Sequence, residues 1–520
     1  MSSDNASRRS APQLSRGISD HLAVSDGYGV QGDSTDDEEN RAMEVEFDQE
    51  AIRRRKSSIV QPERPGKPTR QQAMRMGSQC YVHKLVERTS VGDQPKVENK
   101  LDGTLESIHE NTDGPVAPQN GTVSAEEPRA THSRLLTKKQ LSEMALNVRN
   151  MAKTLSSVKV KLSIKSIFVL TKAHDPSLIH KTRDLTEWLL SEKRDTQYTV
   201  YVEDIMKDNK SFDAEGLLKS NPAFEGRLKY WDSELAKKRP HTFDFCVLLG
   251  GDGTVLYSSW LFQRVVPPVL SFAMGSLGFL TKFDFNEYQS TLEKAFTDGV
   301  TISLRLRFEG TVMRSQKKES EEETRDVVEE LVGEEAGDNR THKPDNTYEI
   351  LNDIVVDRGP NPTMSTIELF GDGDHLTTVQ ADGICVATPT GSTAYNLAAG
   401  GSLCHPENPV ILVTAICAHT LSFRPIVLPD TMVLRLAVPY DARSSSWASF
   451  DGRERVELQP GDYVTISASR YPFAHVMPPG RRSEDWVNSI SRTLQWNSRE
   501  RQKAFKDGET PHDKKKRRIE

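Results

Sequence analysis

The chain has 520 residues, which allows up to about three domains, and it carries a formal net charge of −7. This acidic balance argues against a general nucleic-acid binder, whose footprint is usually basic. No apolar run approaches the roughly 18 residues that span a bilayer, and the five cysteines contain no Cys-x-x-Cys pair that would indicate a zinc site. We therefore expect neither nucleic acid nor a membrane as a partner, and we expect a reducing, cytoplasmic location.

Residues 1–135 are predicted to be a disordered arm. Polar and charged residues dominate there, and such a segment cannot bury enough apolar surface to offset the entropy of ordering. A basic run at 53–56 precedes Ser57 and Ser58. It is solvated charge or, alternatively, a phosphorylation site whose phosphate would reverse the local charge. Arginines among serines near the N-terminus faintly resemble a mitochondrial transit peptide, but nearby acidic residues weaken that interpretation.

Strands that alternate with helices are predicted from residue 136 to 300. The helices are expected over 135–155, 178–190, 227–238 and 286–296, and the strands over 164–170, 198–202, 243–249 and 268–273. This alternation is typical of an α/β domain with a parallel sheet whose two faces are covered. In such sheets, ligands bind beyond the carboxyl ends of the strands.

From residue 301 to 478 the pattern changes to short strands, which predicts an all-β domain. The strand-like runs cover 302–308, 348–357, 365–370, 376–380, 409–414, 432–438 and 463–469. An acidic insert over 317–346 has few apolar residues and is expected to be a mobile loop, with a regulatory role as the alternative. A helix within 479–505 is expected to pack back on the body. The basic tail at 506–520 is solvated or, alternatively, a nuclear address.

A glycine-rich turn at 250–254 is the first candidate site. A buried-type strand precedes it and a helix start follows, so Gly250, Gly251 and Gly253 lie in a strand-to-helix turn together with Asp252 and Thr254. Glycine permits close approach of a ligand to the backbone, and N–H groups at a helix N-terminus attract anions. A carboxylate among such donors suits a general base beside a phosphate. The alternative is a tight turn with a solvated aspartate.

Two further segments could contribute to a nucleotide site. Gly275 and Gly278 follow a strand and could form a second wall around phosphates, although glycine turns end strands in many proteins. Asn352 and Asp353 interrupt an apolar run, so at least one of them requires a polar partner. An adenosine could supply that partner, and local capping of the strand is an equal alternative.

The segment at 382–395 has the highest density of polar groups. It leads from an apolar strand into a turn rich in Thr, Ser and Gly, which suits ribose and phosphate oxygens, and Tyr395 could stack on a nucleotide. Farther along, the Asp-Gly pair at 451–452 predicts a hairpin. A bare hairpin is favoured there over a phosphate contact by Arg453.

Together these segments resemble the NAD kinase family, in its eukaryotic branch with long N-terminal extensions. Phosphofructokinases and lipid kinases have similar glycine turns, whereas the 352–353 pair and the 388–395 run look specific to NAD kinases. The resemblance covers about 136–505. It implies an α/β domain followed by a β-domain, a homo-oligomer, and transfer of the ATP γ-phosphoryl group to the adenosine 2′-hydroxyl of NAD. It also implies a divalent metal, Mg²⁺, with NADH as a further possible acceptor.

The resemblance implies roles for single residues. Asp252 would be the general base, and no side chain is assigned to a metal. Phosphates would be bound by Gly250, Gly251, Gly253, Thr254 and Gly275. NAD would be bound by Asn352, Asp353, Asp382, Thr390, Ser392, Thr393, Ala394, Tyr395 and Asn396, partly from a neighbouring subunit. The family often has Asn-Glu at 352–353, Ser at 396 and Gln at 453, which leaves the contacts of Asn396 and Arg453 open.

Two other functions compete with this interpretation. One is a catalytically silent nucleotide-binding regulator whose arm is an interaction surface, although Asp252 argues against it. The other is a lipid or sugar kinase that shares only the glycine turn. The chain has no Walker-type Gly-x-x-x-x-Gly-Lys-Ser/Thr motif, so the common P-loop is not used.

Overall fold

The computed structural model describes residues 132–172, 175–191, 196–316, 325–333, 341–478 and 482–496. They form an α/β domain on one eight-stranded sheet and a β-domain on two six-stranded sheets, which confirms the predicted fold class. The predicted arm lies outside the described residues up to residue 131. The helices are α1 (Lys138–Ser157), α2 (Pro176–Leu190), α3 (Ala214–Ser220), α4 (Ser233–Lys238), α5 (Asp252–Leu261), α6 (Tyr288–Thr297), α7 (Val327–Leu331), α8 (Tyr395–Ala398) and α9 (Arg482–Leu494).

The strands follow the chain in two groups. Those of the α/β sheet are β1 (Ser166–Thr171), β2 (Thr199–Glu203), β3 (Leu228–Trp231), β4 (Phe245–Gly250), β5 (Val269–Ala273), β6 (Phe283–Asp284), β7 (Thr301–Arg305) and β20 (Phe473–Met477). Those of the β-domain are β8 (Phe308–Ser315), β9 (His342–Ile350), β10 (Asp353–Asp357), β11 (Ser365–Gly371), β12 (Asp374–Ala381), β13 (Gly383–Ala387), β14 (Val410–Ile416), β15 (Ile426–Pro429), β16 (Leu434–Ala437), β17 (Ser446–Phe450), β18 (Glu454–Leu458) and β19 (Tyr463–Ala468).

The α/β sheet is buried on both faces because helices cover both. Its strands run in the order β3-β2-β1-β4-β5-β20-β7, and β1 to β5 are parallel. Alternate residues of β4 pack into two separate cores, with Phe245 and Val247 in one and Cys246 and Leu248 in the other. This explains why its sequence is continuously apolar instead of alternating.

The strand order reverses between β1 and β4. From β1 the chain proceeds outward through β2 and β3 and then returns to place β4 on the other side of β1. The helices that follow β1 and β4 therefore leave on opposite sides, which opens a crevice beyond their carboxyl ends. Gly250 ends β4 at this crevice.

Two strands that the sequence assigns to the β-domain belong to the α/β sheet. β20 pairs in parallel with β5, and β7 pairs antiparallel with β20. The domain limits at 300 and 478 therefore do not coincide with the sheets. A local alternating pattern identifies a strand, but it does not indicate which sheet the strand joins.

The β-domain is a pair of packed sheets. The first has the order β15-β14-β13-β10-β17-β18 and the second β12-β11-β16-β19-β8-β9. One core contains side chains from both, such as Ile354 and Ile384 from the first and Phe308 and Ile466 from the second. The two sheets therefore face each other across a shared apolar layer.

The described part of the acidic insert is structured, unlike the mobile loop that the sequence predicts over 317–346. α7 buries Val327 and Leu331, and Arg325 pairs with Glu330 through two hydrogen bonds of 2.7 and 2.9 Å. β9 begins at His342. The apolar residues are few, but their positions four apart place them on one helical face. The acidic residues 317–324 lie outside the described residues.

Both ends of the described chain pack on the body. Ser133 and Arg134, which the sequence places in the disordered arm, are buried, and the Ser133 N–H donates to Glu309. At the other end, α9 buries Ser489 and Ile490. Among the described helices, none has the length and apolarity required to span a bilayer.

Candidate active site

The glycine turn connects β4 to α5, whose first residue is Asp252. A Cβ atom on Gly250 would lie 2.1 Å from the Thr254 hydroxyl, so this glycine is required for packing. Gly251 and Gly253 have open space where a Cβ would project, and both are exposed. The three glycines thus have two roles: one closes the turn, and two leave the backbone accessible to a ligand.

A second loop fixes the orientation of the Asp252 carboxylate. Its Oδ1 accepts hydrogen bonds from the N–H groups of Leu280 and Thr281 and from the Thr281 hydroxyl, at 3.0, 3.0 and 3.1 Å. Its Oδ2 accepts one from the N–H of Phe279, at 2.9 Å. Four bonds to a rigid loop leave this carboxylate in one orientation, with the remaining acceptor capacity on Oδ2.

Gly278 makes that arrangement possible. A Cβ atom there would lie 2.2 Å from Oδ1 of Asp252, so any larger residue would push the carboxylate away. The sequence identifies Gly275 and Gly278 as a possible second phosphate wall. Gly275 does have open space around it, but Gly278 packs against the carboxylate.

Asp451, on the hairpin next to β10, organises the predicted Asn352-Asp353 pair. Its carboxylate accepts hydrogen bonds from the N–H groups of Leu351, Asn352 and Asp353, at 2.9, 2.7 and 3.1 Å. Asp451 has φ 50° and lies at the tip of the β17–β18 hairpin, as its Asp-Gly pair predicts. Burial raises the pKa of Asp451, and the three N–H groups counteract this.

Asp353 is a buried carboxyl group with an unusual pKa. Burial and, secondarily, the charge of Asp451 raise its pKa to about 7, although the backbone N–H of Tyr395 acts in the opposite direction. The backbone N–H of Tyr395 therefore supplies part of the polar partnership that the sequence requires for Asp353. Near neutral pH the group exchanges between an acceptor-only carboxylate and a protonated form that can also donate.

The hydroxyl-rich turn packs against the start of β10. The N–H of Thr388 donates to the Asn352 carbonyl at 2.8 Å, and a Cβ on Gly391 would lie 2.2 Å from that same oxygen. The Ser392 hydroxyl binds both the N–H and the carbonyl of Cys404. These contacts bring the segments at 352–353 and 388–395 together, as their polar composition suggests.

The structure separates the predicted NAD-binding residues into three groups. A cavity of about 390 Å³ is lined by Asn352, Asp353, Ala394 and Tyr395. Ser392 and Asn396 are fully buried, and the Asn396 side chain bonds to the carbonyls of Ser392 and Ser402 and to the Thr414 hydroxyl. The buried Thr390 hydroxyl has no hydrogen-bond partner among the described residues, and Thr393 is partly exposed.

Asp382 lies at the opposite end of β13 from this turn. Five residues separate it from Ala387, which corresponds to about 17 Å along a strand. Its carboxylate pairs with Arg358 at 3.1 Å. The structure of one chain therefore does not bring Asp382 to the other predicted residues, and its role stays a prediction.

The cavity has walls that sequence reasoning did not identify. Its further lining residues are Val355, Asp357, Ser449, Asp451, Gly452 and Arg455. Three acidic residues, Asp353, Asp357 and Asp451, line it together with one cation, so it suits hydroxyl and amine donors better than phosphates. The only local sequence signal for Asp451 was the hairpin itself.

The hairpin tip also contacts the glycine-turn helix. The Arg453 guanidinium lies 4.4 Å from the centre of the Tyr257 ring on α5. Arg307, which is fully buried, binds carbonyls at the carboxyl end of the same helix, including Phe262 at 2.8 Å and Arg264 at 2.9 Å. The β-domain hairpin therefore contacts α5 near its middle, and Arg307 binds the carboxyl end of the helix.

An accessible backbone for phosphates beside a carboxylate-lined cavity for hydroxyl donors is what a kinase acting on a nucleotide requires. Family models agree in detail: the ATP-NAD kinase N-terminal domain matches residues 167–300, and the ATP-NAD kinase C-terminal domain matches 351–477. The chain belongs to the ATP-NAD kinase family and is an ATP-dependent enzyme.

Individual relatives agree with the family assignment. The chain is 43% identical over 389 residues to the NAD(+) kinase of Saccharomyces cerevisiae, covering 74% of this chain and 69% of the relative. It is 41% identical over 380 residues to an ATP-NADH kinase of the same yeast, covering 73% of each. The crystal structure of yeast NADH kinase complexed with NADH superposes with a TM-score of 0.52 at 29% identity, over 65% of this chain and 90% of that one.

Proposed function

We propose that this enzyme transfers the γ-phosphoryl group of ATP to the 2′-hydroxyl of the adenosine ribose of NAD, with Asp252 as the general base. The observation that carries the proposal is the hairpin tip at 451–453. Asp451 lines the cavity, and Arg453 stacks on the helix whose first residue is Asp252. A ribose held in the cavity is thereby placed next to the helix that presents both the base and the phosphate turn.

The charges of the two regions support the direction in which the dinucleotide binds. The cavity is lined by Asp353 and Asp357, whose carboxyl groups are acceptors for ribose hydroxyls and for the adenine amine. Phosphates are repelled there. They are attracted to the exposed backbone of Gly251 and Gly253 at the positive end of α5.

The rigid environment of Asp252 supports its role as a base. A carboxylate that accepts a proton from an alcohol must be held within hydrogen-bond reach of it. The loop at 279–281 fixes the group and leaves most of the free acceptor capacity on Oδ2. We assign the 2′-hydroxyl proton to this oxygen.

Magnesium fits the donor set as a companion of ATP. Among the residues that the structure describes, no three His, Cys, Asp or Glu side chains come together as a metal site. Mg²⁺ is commonly held by one or two carboxylates and substrate phosphates, and when bound to ATP it neutralises the charge of the transferred group. The chain's own contribution is the set of backbone N–H groups at the turn.

NADH is proposed as a second acceptor. Its 2′-hydroxyl is the same as that of NAD, so the cavity and Asp252 would treat the adenosine half alike. The similarity to yeast proteins named as NAD(+) and NADH kinases supports both substrates. Measuring kcat/KM for each with one enzyme preparation ranks them directly, and no turnover of NADH would remove this second part.

The test of the main proposal is an assay of NADP formation from ATP, Mg²⁺ and NAD. We expect turnover by the wild type and a loss of about 100-fold or more in kcat for Asp252→Asn, the size of effect that general bases show. Asp374→Asn, which alters an exposed aspartate at the start of β12, is the matched control and should retain activity. A wild type that binds NAD and forms no NADP would support the silent regulator instead.

We also propose that the enzyme is a homo-oligomer in the cytoplasm. Leu421 is 86% exposed, and Val427 is exposed on β15, an edge strand of its sheet. An edge strand with apolar side chains is a surface suited to pairing with another chain. Light scattering at micromolar concentration should give a mass of more than one chain per particle. The cytoplasmic location is tested separately by fluorescence microscopy of the tagged chain.

A further inference from the structure

The C-terminal helix α9 contacts two loops that support the candidate active site. It begins at residue 482, after the matched family domains end at 477, and it contains none of the candidate site residues. Two adjacent residues, Asp485 and Trp486, each contact a different loop. Each of these loops forms hydrogen bonds with a residue of the site, the first with Asp252 and the second with Ser392.

The first contact is with Lys282. This lysine side chain is 3% exposed, its Nζ lies 2.7 Å from Oδ2 of Asp485, and it donates to the Ser489 hydroxyl at 3.1 Å. Burial lowers the pKa of Lys282, and the hydrogen bond with Asp485 counteracts this. A buried ammonium requires such partners, so α9 supplies what the lysine needs to stay charged inside the protein.

Lys282 is directly connected to the loop that orients Asp252. The preceding residue, Thr281, donates two of the four hydrogen bonds to the Asp252 carboxylate. The backbone N–H of Lys282 is itself bound to the Ser271 carbonyl at 3.3 Å. The segment 279–282 is therefore fixed on one side to β5 and on the other to α9.

The second contact is with the loop before β14. The Trp486 and His405 rings lie 5.2 Å apart between centroids, at an interplanar angle of 68°. The neighbouring Cys404 binds the Ser392 hydroxyl through both its N–H and its carbonyl, at 3.1 and 3.0 Å. Ser392 belongs to the turn whose next residues, Ala394 and Tyr395, line the cavity.

We propose that α9 positions both halves of the active site through these two contacts. Asp485 and Ser489 act through Lys282 on the orientation of Asp252. Trp486 acts through His405 on the turn at 388–395. The inference rests on the proposed function, because it assigns catalysis to Asp252 and dinucleotide binding to that turn. All three helix residues are positioning residues, since none of them lines the cavity.

The two contacts predict different kinetic signatures in the full-length enzyme. Asp485→Asn leaves the Lys282 charge without its anion, and we expect kcat to fall about tenfold with KM for NAD unchanged, as for a misplaced catalytic group. Asp485→Glu restores the anion and should recover most of kcat. Trp486→Ala should raise KM for NAD about fivefold with kcat nearly unchanged, and Trp486→Phe should recover it.

Val487→Ala is the matched control, because Val487 is exposed on the same helix. Thermal melting of every variant accompanies the kinetics. The split between kcat and KM, with rescue by the conservative variants, supports positioning. Equal changes of kcat and KM in Asp485→Asn and Trp486→Ala overturn it, and so does no change in either variant. It is also overturned if Asp485→Glu melts like the wild type and fails to recover kcat.

The proposed function itself is judged separately, from the wild type. If the wild type forms no NADP, the function fails, and the Trp486 contact is still tested by NAD affinity in isothermal titration. A fivefold weaker affinity of Trp486→Ala, restored in Trp486→Phe, supports that contact without turnover. An unchanged affinity overturns it.

Discussion

The two halves of the site bind polar groups by opposite means. In the α/β domain, Gly251 and Gly253 expose their backbone to the ligand, and the single carboxylate is held by a neighbouring loop. In the β-domain, Asp451 engages the backbone N–H groups at 351–353, and carboxyl side chains face the cavity. The comparison teaches that the two halves favour different partners: exposed backbone N–H groups at a helix N-terminus favour anions, and a cavity lined by acidic residues favours hydroxyl donors.

The largest expected effect comes from disturbing the Asp252 carboxylate without changing it. Gly278→Ala places a methyl group within 2.2 Å of its Oδ1. We expect kcat to fall about 100-fold, because small displacements of a catalytic group have effects of that size. KM for NAD should change little, since the cavity is untouched. Steady-state kinetics at saturating ATP and NAD measures both.

Gly216→Ala is the control for that substitution. It brings a methyl group within 2.0 Å of the Asp213 carboxylate, at the start of α3 and outside the site. This clash has nearly the same geometry and should leave kcat unchanged. If both variants lose kcat equally, the effect of Gly278→Ala is a general loss of folded enzyme.

The next largest effect tests the β-domain half. Asp451→Asn replaces one acceptor oxygen with a donor that faces the N–H groups of Leu351, Asn352 and Asp353. Unsatisfied donors of this kind cost about 1–3 kcal/mol each, so KM for NAD should rise about tenfold or more and Tm should fall. KM for ATP should stay within about twofold of the wild type. An equal rise in both constants would contradict the division between the halves.

A pH dependence sharpens the role of Asp353. Its pKa in the folded state is about 7, above its usual value of 3.8 when unfolded. Between these two values the folded state binds more protons than the unfolded state, so its contribution to stability is lost as pH rises from about 4 to 7. Asp353→Asn has no carboxyl group to titrate at this position, so the variant does not lose this stability as pH rises. The variant should therefore melt several degrees above the wild type at pH 8, and the difference should shrink towards pH 4.

The same substitution affects binding in the opposite direction. The Asp353 carboxylate is proposed to accept hydrogen bonds from the adenosine half, so the wild-type affinity for NAD should weaken as pH falls below 7, and Asp353→Asn should abolish this dependence. Titration calorimetry at pH 6 and pH 8 measures it. A wild-type affinity that is constant over this range would remove Asp353 from the contacts.

The smallest effect concerns the contact between the halves. Arg453→Ala removes a guanidinium stacked on Tyr257, an interaction worth about 0.5–1 kcal/mol at an exposed site. We expect kcat/KM to fall about two- to fivefold. Tyr257→Phe keeps an aromatic face and should stay close to the wild type, whereas Tyr257→Ala should match Arg453→Ala. Additive losses in the double variant would show that the two residues act independently.

Local patterns predicted the parts of the fold and site that are continuous in sequence. The apolar run of β4, the glycines after it and the start of α5 are adjacent, so their pattern is visible without a structure. The polar pair at 352–353 and the hydroxyl-rich turn, which the resemblance assigns to one site, are in contact. The change from alternating strands and helices to short strands indicated the α/β region and the β region.

Long-range contacts were not predictable in the same way. Asp451 reaches N–H groups 98 to 100 residues away, and an Asp-Gly pair predicts only its own hairpin. The resemblance implies an NAD contact for Asn396, and a turn dense in polar groups does not indicate which of its side chains face inward. The structure buries it completely. Likewise, the alternating pattern identified β7 as a strand but not its sheet, and β20 lies outside the predicted strands.

The position of β20 in the α/β sheet has a consequence for biosynthesis. β7 is an edge strand of that sheet, and it pairs there with β20. On the chain, 167 residues lie between the end of β7 and the start of β20. A ribosome that has released residues 136–305 has therefore not yet supplied the strand that joins β7 to β5. Pairing at such large sequence separation is intrinsically slow. The first domain to emerge must consequently wait with an unfinished sheet edge until the second has been made, and for that interval the edge is exposed to aggregation and to chaperones.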